Sequence, residues 1–262
     1  MNHILSISKK CVKKINYKNM KNMKILNLVL FSHSKEYDDM YRITREYYRR
    51  FPDVTTLYYT FSESLDITKG SESRSDDITK GSESRSDDIL YFQGKESYIP
   101  GILDKTMKAF SYAVKTYPSY DYIVRSNIST IINFSLLQNN LRSNPIQYGG
   151  GALLTYNYRG VDIVYASGTS IIVGMPLAKE LCKKTDKVQY DIIDDVAIGI
   201  LIKEYFPTVT PVSIGHLIVI PNMNGGCNVQ DLSLSDTIFY RNRSSTDRNI
   251  DVQQMKCIID SL

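Results

Sequence analysis

The sequence has only four cysteines in 262 residues, and Cys11, Cys182, Cys227 and Cys257 stand too far apart to form a CxxC pair. That argues against a structural zinc site or a disulfide scaffold and fits a reducing compartment. Histidines are scarcer still. His3, His33 and His216 are scattered, and no Gly-x-Ser-x-Gly motif or Cys and His pairing suggests a hydrolase nucleophile. Long apolar runs are missing as well: the one candidate for a membrane segment, "ILNLVLF" at 25–31, falls far short of the ~20 residues a spanning helix needs. A soluble protein is therefore expected. Nor is there a strong charge excess, since the net +4 from 32 basic and 28 acidic residues is too slight to argue for a nucleic-acid partner without a localised patch.

Such a patch exists only at the N-terminus, where Lys9, Lys10, Lys13, Lys14, Lys18, Lys21 and Lys24 occur with no acid. Residues 1–23 read as a solvated or disordered leader, with a nucleic-acid or membrane-surface arm as the alternative. The basic run is too long for a signal peptide, and no small-residue cleavage site follows the apolar run. Residues 24–262 have the length and the 42% hydrophobic content to bury a normal core as one domain.

What is present is an alternation of strand and helix signals. "KILNLVLFSH" (24–33) is a continuous apolar run, as in a strand buried on both faces. A helix follows over 35–51, and "VTTLYYTF" (54–61) and "ILYFQG" (89–94) read as the next two strands. Pro100 suits the first turn of a helix whose Leu103, Met107, Phe110 and Val114 form one apolar face. "YDYIVRS" is a fourth strand, and 129–142 reads as another helix with Ile132, Phe134 and Leu136 inward. Strand alternating with helix implies a mostly parallel sheet flanked by helices on both faces.

Between the second and third strands, "DITKGSESRSD" at 66–76 repeats without change at 77–87. The unit is too short for a solenoid repeat and too polar to supply a core. It reads as a duplicated surface loop. Further on, "DIVYASGTSIIVGMPLAKELCKK" (162–184) predicts a strand, a turn at Ser167 and Gly168, a second strand and a helix from Pro176. Asp191, Asp194 and Asp195 then precede a helix carrying Val196, Ile200 and Leu201, where carboxylates favour the free amides of the first turn. Gly149–Gly151 precedes a strand, lacks the strand-to-helix context of a phosphate loop and reads as a turn. "NGGCN" (224–228) reads as a turn or acceptor loop.

In an open α/β sheet, ligands bind beyond the carboxyl ends of the strands. Arg125, Ser126 and Asn127 sit at such an end, as do Ser167 and Gly168. The order "KESYIPGILDKTMKAFSYAV", "YDYIVRSN", "YASGTSIIV", "AKEL" and "DDVAIG" resembles the nucleotide-sugar-dependent glycosyltransferases of the GT-A fold. It is nearest to the fringe and β-1,3-galactosyltransferase type and to related sugar transferases of bacteria and giant viruses. The resemblance spans roughly residues 24–206, with a looser echo in "FYRNR" at 239–243.

The resemblance implies a Rossmann-like GT-A sheet and transfer of a sugar from a nucleotide sugar, a UDP-sugar first, to a hydroxyl of a glycan or protein acceptor. It places Lys105 beside the donor nucleotide. It sets Ser167 and Gly168 in a turn that lets backbone approach the sugar, and makes Asp194 and Asp195 the acidic pair that supplies the catalytic base, Asp195 being the first choice. Where the family carries an Asp-x-Asp motif for Mn²⁺ or Mg²⁺, this chain has Arg125, Ser126 and Asn127. Asn127 can offer a cation one neutral oxygen, so weak or absent metal dependence is expected. Arg125 can neutralise the diphosphate directly, or pair with a neighbouring carboxylate. His33, just past the first strand, can lie near the nucleotide or be a plain surface histidine, and His216 is an alternative metal ligand.

Loss of the Asp-x-Asp carboxylates leaves a second function class open, an inactive relative that binds a nucleotide sugar, glycan or protein. Abundant Ile, Asn, Lys and Tyr point to an AT-rich genome, of which giant viruses are one source. A cytoplasmic location, in a host or viral factory, is the plainest expectation.

Overall fold

The computed structural model describes residues 23–62, 78–80, 87–220, 236–244 and 247–262. The leader up to residue 22, most of the duplicated segment and "NGGCN" lie outside the described residues. Met23, assigned to the leader, is fully buried in the core.

The apolar run at 25–30 forms β1 (Ile25–Leu30), buried along almost its whole length. It lies parallel to β2 (Val54–Ser62) on one side and to β5 (Tyr122–Asn127) on the other. On the far side of β2 lies β4 (Ile89–Gln93), also parallel. Each of these runs is rich in Val, Ile, Leu and Tyr, as a strand covered on both faces requires. A short strand, β3 (Ile78–Lys80), caps this edge antiparallel to β4. At the other edge β10 (Ser170–Gly174) runs antiparallel to β5, β7 (Tyr148–Gly150) antiparallel to β10, and β11 (Val212–Ser213) parallel to β7. The central sheet thus has eight strands in the order β11-β7-β10-β5-β1-β2-β4-β3.

Side chains alternate between its faces. Ile25, Val29, Tyr58 and Val124 join a core with α1 (Lys35–Tyr48), α3 (Phe134–Ser143) and α6 (Arg248–Ser261). Leu26, Leu28, Tyr59 and Ile123 join a second core with α2 (Gly101–Thr116), α4 (Met175–Cys182) and α5 (Asp194–Tyr205). Burying Leu103, Met107 and Phe110 of α2 contributes about 1.5–3 kcal/mol each, which fixes that helix against the face of the sheet. Helix starts follow local chemistry. The Ser34 hydroxyl accepts from the Tyr37 amide at 3.2 Å, whereas Pro100 occupies the N-cap of α2 rather than its first turn.

A three-stranded sheet, β12 (Leu217–Ile220), β13 (Phe239–Asn242) and β6 (Thr130–Ile132), and a hairpin, β8 (Leu153–Tyr158) with β9 (Val161–Ala166), complete the mixed α/β unit. No helix among the described residues is long and apolar enough to cross a membrane.

Two expectations are corrected. The helix expected over 129–142 begins only at Phe134, because Asn133 caps it by accepting from the Leu136 amide at 3.2 Å. The β-branched Thr130, Ile131 and Ile132 before it pair instead with β13. The turn expected at Gly149–Gly151 is largely strand β7. A Cβ on Gly149 would stand 2.0 Å from the Val212 carbonyl oxygen, and one on Gly150 2.2 Å from that of Ser170. Glycine is required there by strand contact, not by a bend.

Candidate active site

The carboxyl ends of β1 and β5 open into a cleft of two joined chambers, of about 570 and 480 Å³, within the range of small-molecule sites. Leu30, Tyr98, Ile102, Asn127 and Arg241 line both. The larger chamber adds Phe31, Tyr37, Glu96 and Lys105. The smaller adds Arg125, Ser167, Gly168, Asp194 and Asp195.

Arg125, two residues before the end of β5, is only 1% exposed, and all three of its nitrogens are engaged. Nη2 lies 2.6 Å from Asp194 Oδ2, Nε donates to the Tyr59 hydroxyl at 3.2 Å, and Nη1 donates to the Gly168 carbonyl. Burial works against its charge, but Asp194 and then Tyr59 outweigh that and hold its pKa above the ordinary value. Of the two roles open to Arg125 in the sequence, carboxylate pairing is the one its geometry displays. Strand alternation turns the intervening Ser126 to the other face, where it is fully buried and does not line the cleft. Asn127 returns to the cleft side and sits at the junction of the chambers.

Asp194 and Asp195 open α5. Its N-cap is Ile193, with no side-chain cap, so both carboxylates lie inside the first turn, where the helix dipole favours them. Asp195 Oδ2 accepts from the Gly168 amide at 2.8 Å, and Oδ1 accepts from the Val196 amide at 2.9 Å. Burial, and next the charge of Asp194, raises its pKa; the Gly168 amide and Arg125 oppose the shift. Asp191 stands outside, exposed. Gly168 is required by close approach, since a Cβ there would lie 2.8 Å from Arg125 Nη1.

Lys105 is fully buried. Its ammonium group is 2.7 Å from both oxygens of Glu96 and donates to the Phe31 carbonyl and Ser32 hydroxyl at 3.1 and 3.2 Å. Burial lowers its pKa and Glu96 works the other way. Lys105 therefore ties the end of β1 to the Glu96 segment at the chamber wall. His33 lies outside the cleft lining, 3.3 Å from Asp38 and parallel to the Tyr91 ring at 6.0 Å. His216 holds a left-handed backbone with φ 59° before β12 and likewise does not line the cleft.

The divalent cation implied by the family resemblance does not fit the residues present. A Mg²⁺ or Mn²⁺ site needs several hard oxygens, carboxylates above all. Here the end of β5 carries a buried guanidinium that already takes Asp194, and Asn127 offers a single neutral oxygen. Among the described residues no group of three or more His, Cys, Asp or Glu side chains could hold a metal ion.

Several lining residues were not identified from sequence. Glu96 lies in the quoted "KESYIPG", and its signal was an acid nine positions before a buried lysine. Arg241 stands in "FYRNR", a cation flanked by the buried Tyr240 and Asn242. Burial and then the neighbouring Arg248 pull the Arg241 pKa down to about 10, with Asp251 opposing and Arg243 and Arg125 adding to the fall. It remains charged at neutral pH.

No family model matches the sequence, and no curated protein matches it. Among solved structures the chain is similar to a glycosyltransferase involved in the glycosylation of the major capsid of PBCV-1. The TM-score is 0.46 at 10% identity, over 89% of this chain and 98% of that one.

Proposed function

We propose that the chain is a glycosyltransferase of nucleotide-sugar donors. The observation that supports this most directly is the pairing, in one cleft at the strand ends, of a half-buried carboxylate of raised pKa, Asp195, with an arginine that has no carboxylate partner among the described residues, Arg241. In the reaction, the oxygen of an acceptor hydroxyl attacks the anomeric carbon of the sugar. The new C–O bond forms as the bond to the diphosphate breaks, and the electron pair leaves with the diphosphate. The hydroxyl proton passes to Asp195, and positive charge stabilises the departing phosphate. Burial that raises the pKa of a carboxylate makes it a better base near neutral pH. Asp194, held by Arg125, positions that turn. UDP-sugars are the first donors to try, with a glycan or protein hydroxyl as acceptor.

One observation favours a second reading, a binding module without transfer: both oxygens of Asp195 accept backbone amides, as a purely structural carboxylate would. Incubation with a panel of nucleotide sugars, with and without Mn²⁺, and detection of released nucleoside diphosphate decides between them. Turnover that Asp195→Asn abolishes supports the transferase. Donor binding with no turnover of any donor supports the binding module.

A further inference from the structure

We propose that Arg241, backed by Arg248 and flanked by Asn127 and Ser129, is the seat of the donor's diphosphate, where guanidinium groups neutralise the phosphates without a metal. The proposal rests on the nucleotide-sugar reading above and names the subsite within it.

The charge count around Ser129 carries the argument. Its hydroxyl, fully buried, accepts from Arg241 Nη1 and, at 3.2 Å, from Arg248 Nη2. Two guanidinium groups therefore meet at one oxygen. Among the described residues only one carboxylate answers them: Asp251, itself fully buried, which takes Arg248 Nη1. Arg248 also lies over the Tyr37 ring, 5.5 Å from its centroid, and so is held from below. One positive charge is left over, on Arg241. That charge is half-buried on the wall of the cleft, where an anion can take it up.

Position supplies the second argument. Arg241 and Asn127 line both chambers, so an anion at Arg241 stands between them. A nucleoside diphosphate seated there would put its nucleoside in the larger chamber, beside Phe31 and Tyr37, and its sugar in the smaller, beside Asp195. Arginine's planar fork matches phosphate oxygens in bidentate fashion. The Asn127 amide adds a neutral donor.

Calorimetry on the full chain in EDTA, with inorganic pyrophosphate, UDP and uridine as separate probes, tests the seat. Pyrophosphate and UDP are expected to bind, and uridine at least tenfold more weakly. Arg241→Gln should weaken UDP and pyrophosphate at least tenfold and leave uridine unchanged, Arg241→Lys should fall between, and the remote Arg50→Gln should bind as the parent does. If Arg241→Gln does not fold in a thermal melt, Arg241→Lys and a fall in parent pyrophosphate affinity with rising salt carry the test. Pyrophosphate binding by the parent only when Mn²⁺ is added overturns the seat, as does a folded Arg241→Gln that binds UDP normally. Failure of the wider reading looks different: pyrophosphate held through Arg241 with no nucleotide sugar turned over refutes the transferase and leaves the seat standing.

Discussion

The amide of Gly168 donates to Asp195 Oδ2 at 2.8 Å while its carbonyl accepts from Arg125. One residue, through the two peptide groups that flank its Cα, thus links the proposed base to the buried guanidinium behind it. Arg125 has no room to yield, because its other nitrogens are held by Asp194 and Tyr59.

Gly168→Ala places a methyl group 2.8 Å from Arg125 Nη1 and 3.3 Å from Asp195 Oδ2. Overpacking against a pinned neighbour costs about 1–3 kcal/mol. Urea denaturation should show that loss, and turnover should fall further than the stability change accounts for, because Asp195 is displaced. Unchanged stability would mean that the loop from Ser167 to Thr169 moves aside.

The elements that the sequence reveals are those whose signal is local. β1, β2, β4 and β5 are continuous apolar runs, and α1 and α2 carry their own periodicity and starts. β6 was hidden because three residues are too few to interrupt a helical pattern, and because its partner β13 comes from far along the chain. β7 was hidden because its glycines answer to the Val212 and Ser170 carbonyls, contacts that no neighbouring residue announces. In the site, Asp194, Asp195 and Arg125 are readable as charged residues at element ends, and Gly168 as a small residue in a turn. Ser126 faces away from the cleft because a cluster in sequence is split by strand alternation. Arg241 and Arg248 escaped notice because their significance is a charge imbalance around Ser129, which exists only once β13, β6 and α6 meet.

Arg125→Met should destabilise the chain by about 3–5 kcal/mol, since it leaves Asp194 buried without its partner. Asp194→Leu in the same background should recover much of that loss, as replacing both members of a buried ion pair commonly does. Thermal and chemical denaturation of the single and double variants closes the cycle. UDP affinity of the double variant decides between the two roles considered for Arg125: retention fits the pairing seen here, and loss would give Arg125 the phosphate.

Deleting residues 77–87 should leave stability within about 0.5 kcal/mol of the parent. The reason lies in the repeat itself. Ile78, Thr79 and Lys80 form the edge strand on β4, and the first copy carries the same three residues as Ile67, Thr68 and Lys69, followed by the same seven residues before Asp88. The shortened chain thus keeps an identical strand and an identical connection to β4. Shortening the loop changes closure entropy only slightly. A large drop in melting temperature would show that the second copy has packing of its own.

Asp195→Asn separates function from stability. The amide keeps an oxygen for the Gly168 or Val196 amide but cannot take a proton, so turnover should fall by about a hundredfold to ten-thousandfold, with UDP affinity unchanged. Stability should move the other way as pH rises. The Asp195 pKa is raised above its ordinary 3.8 by burial and the Asp194 charge, so folding favours the protonated form. That favour is complete below the ordinary value and is lost as pH climbs through the raised one. The melting temperature of Asp195→Asn relative to the parent should therefore increase between pH 4 and pH 7. The parent's rate should rise with pH along an acid limb set above the usual carboxylate range. Asp194→Asn takes the charge from Arg125's buried partner and should cost stability, but in the folded fraction it should cost less activity than Asp195→Asn. Equal, near-normal rates in both variants would reduce Asp194 and Asp195 to structural carboxylates, and a defect confined to Asp194→Asn would exchange their roles.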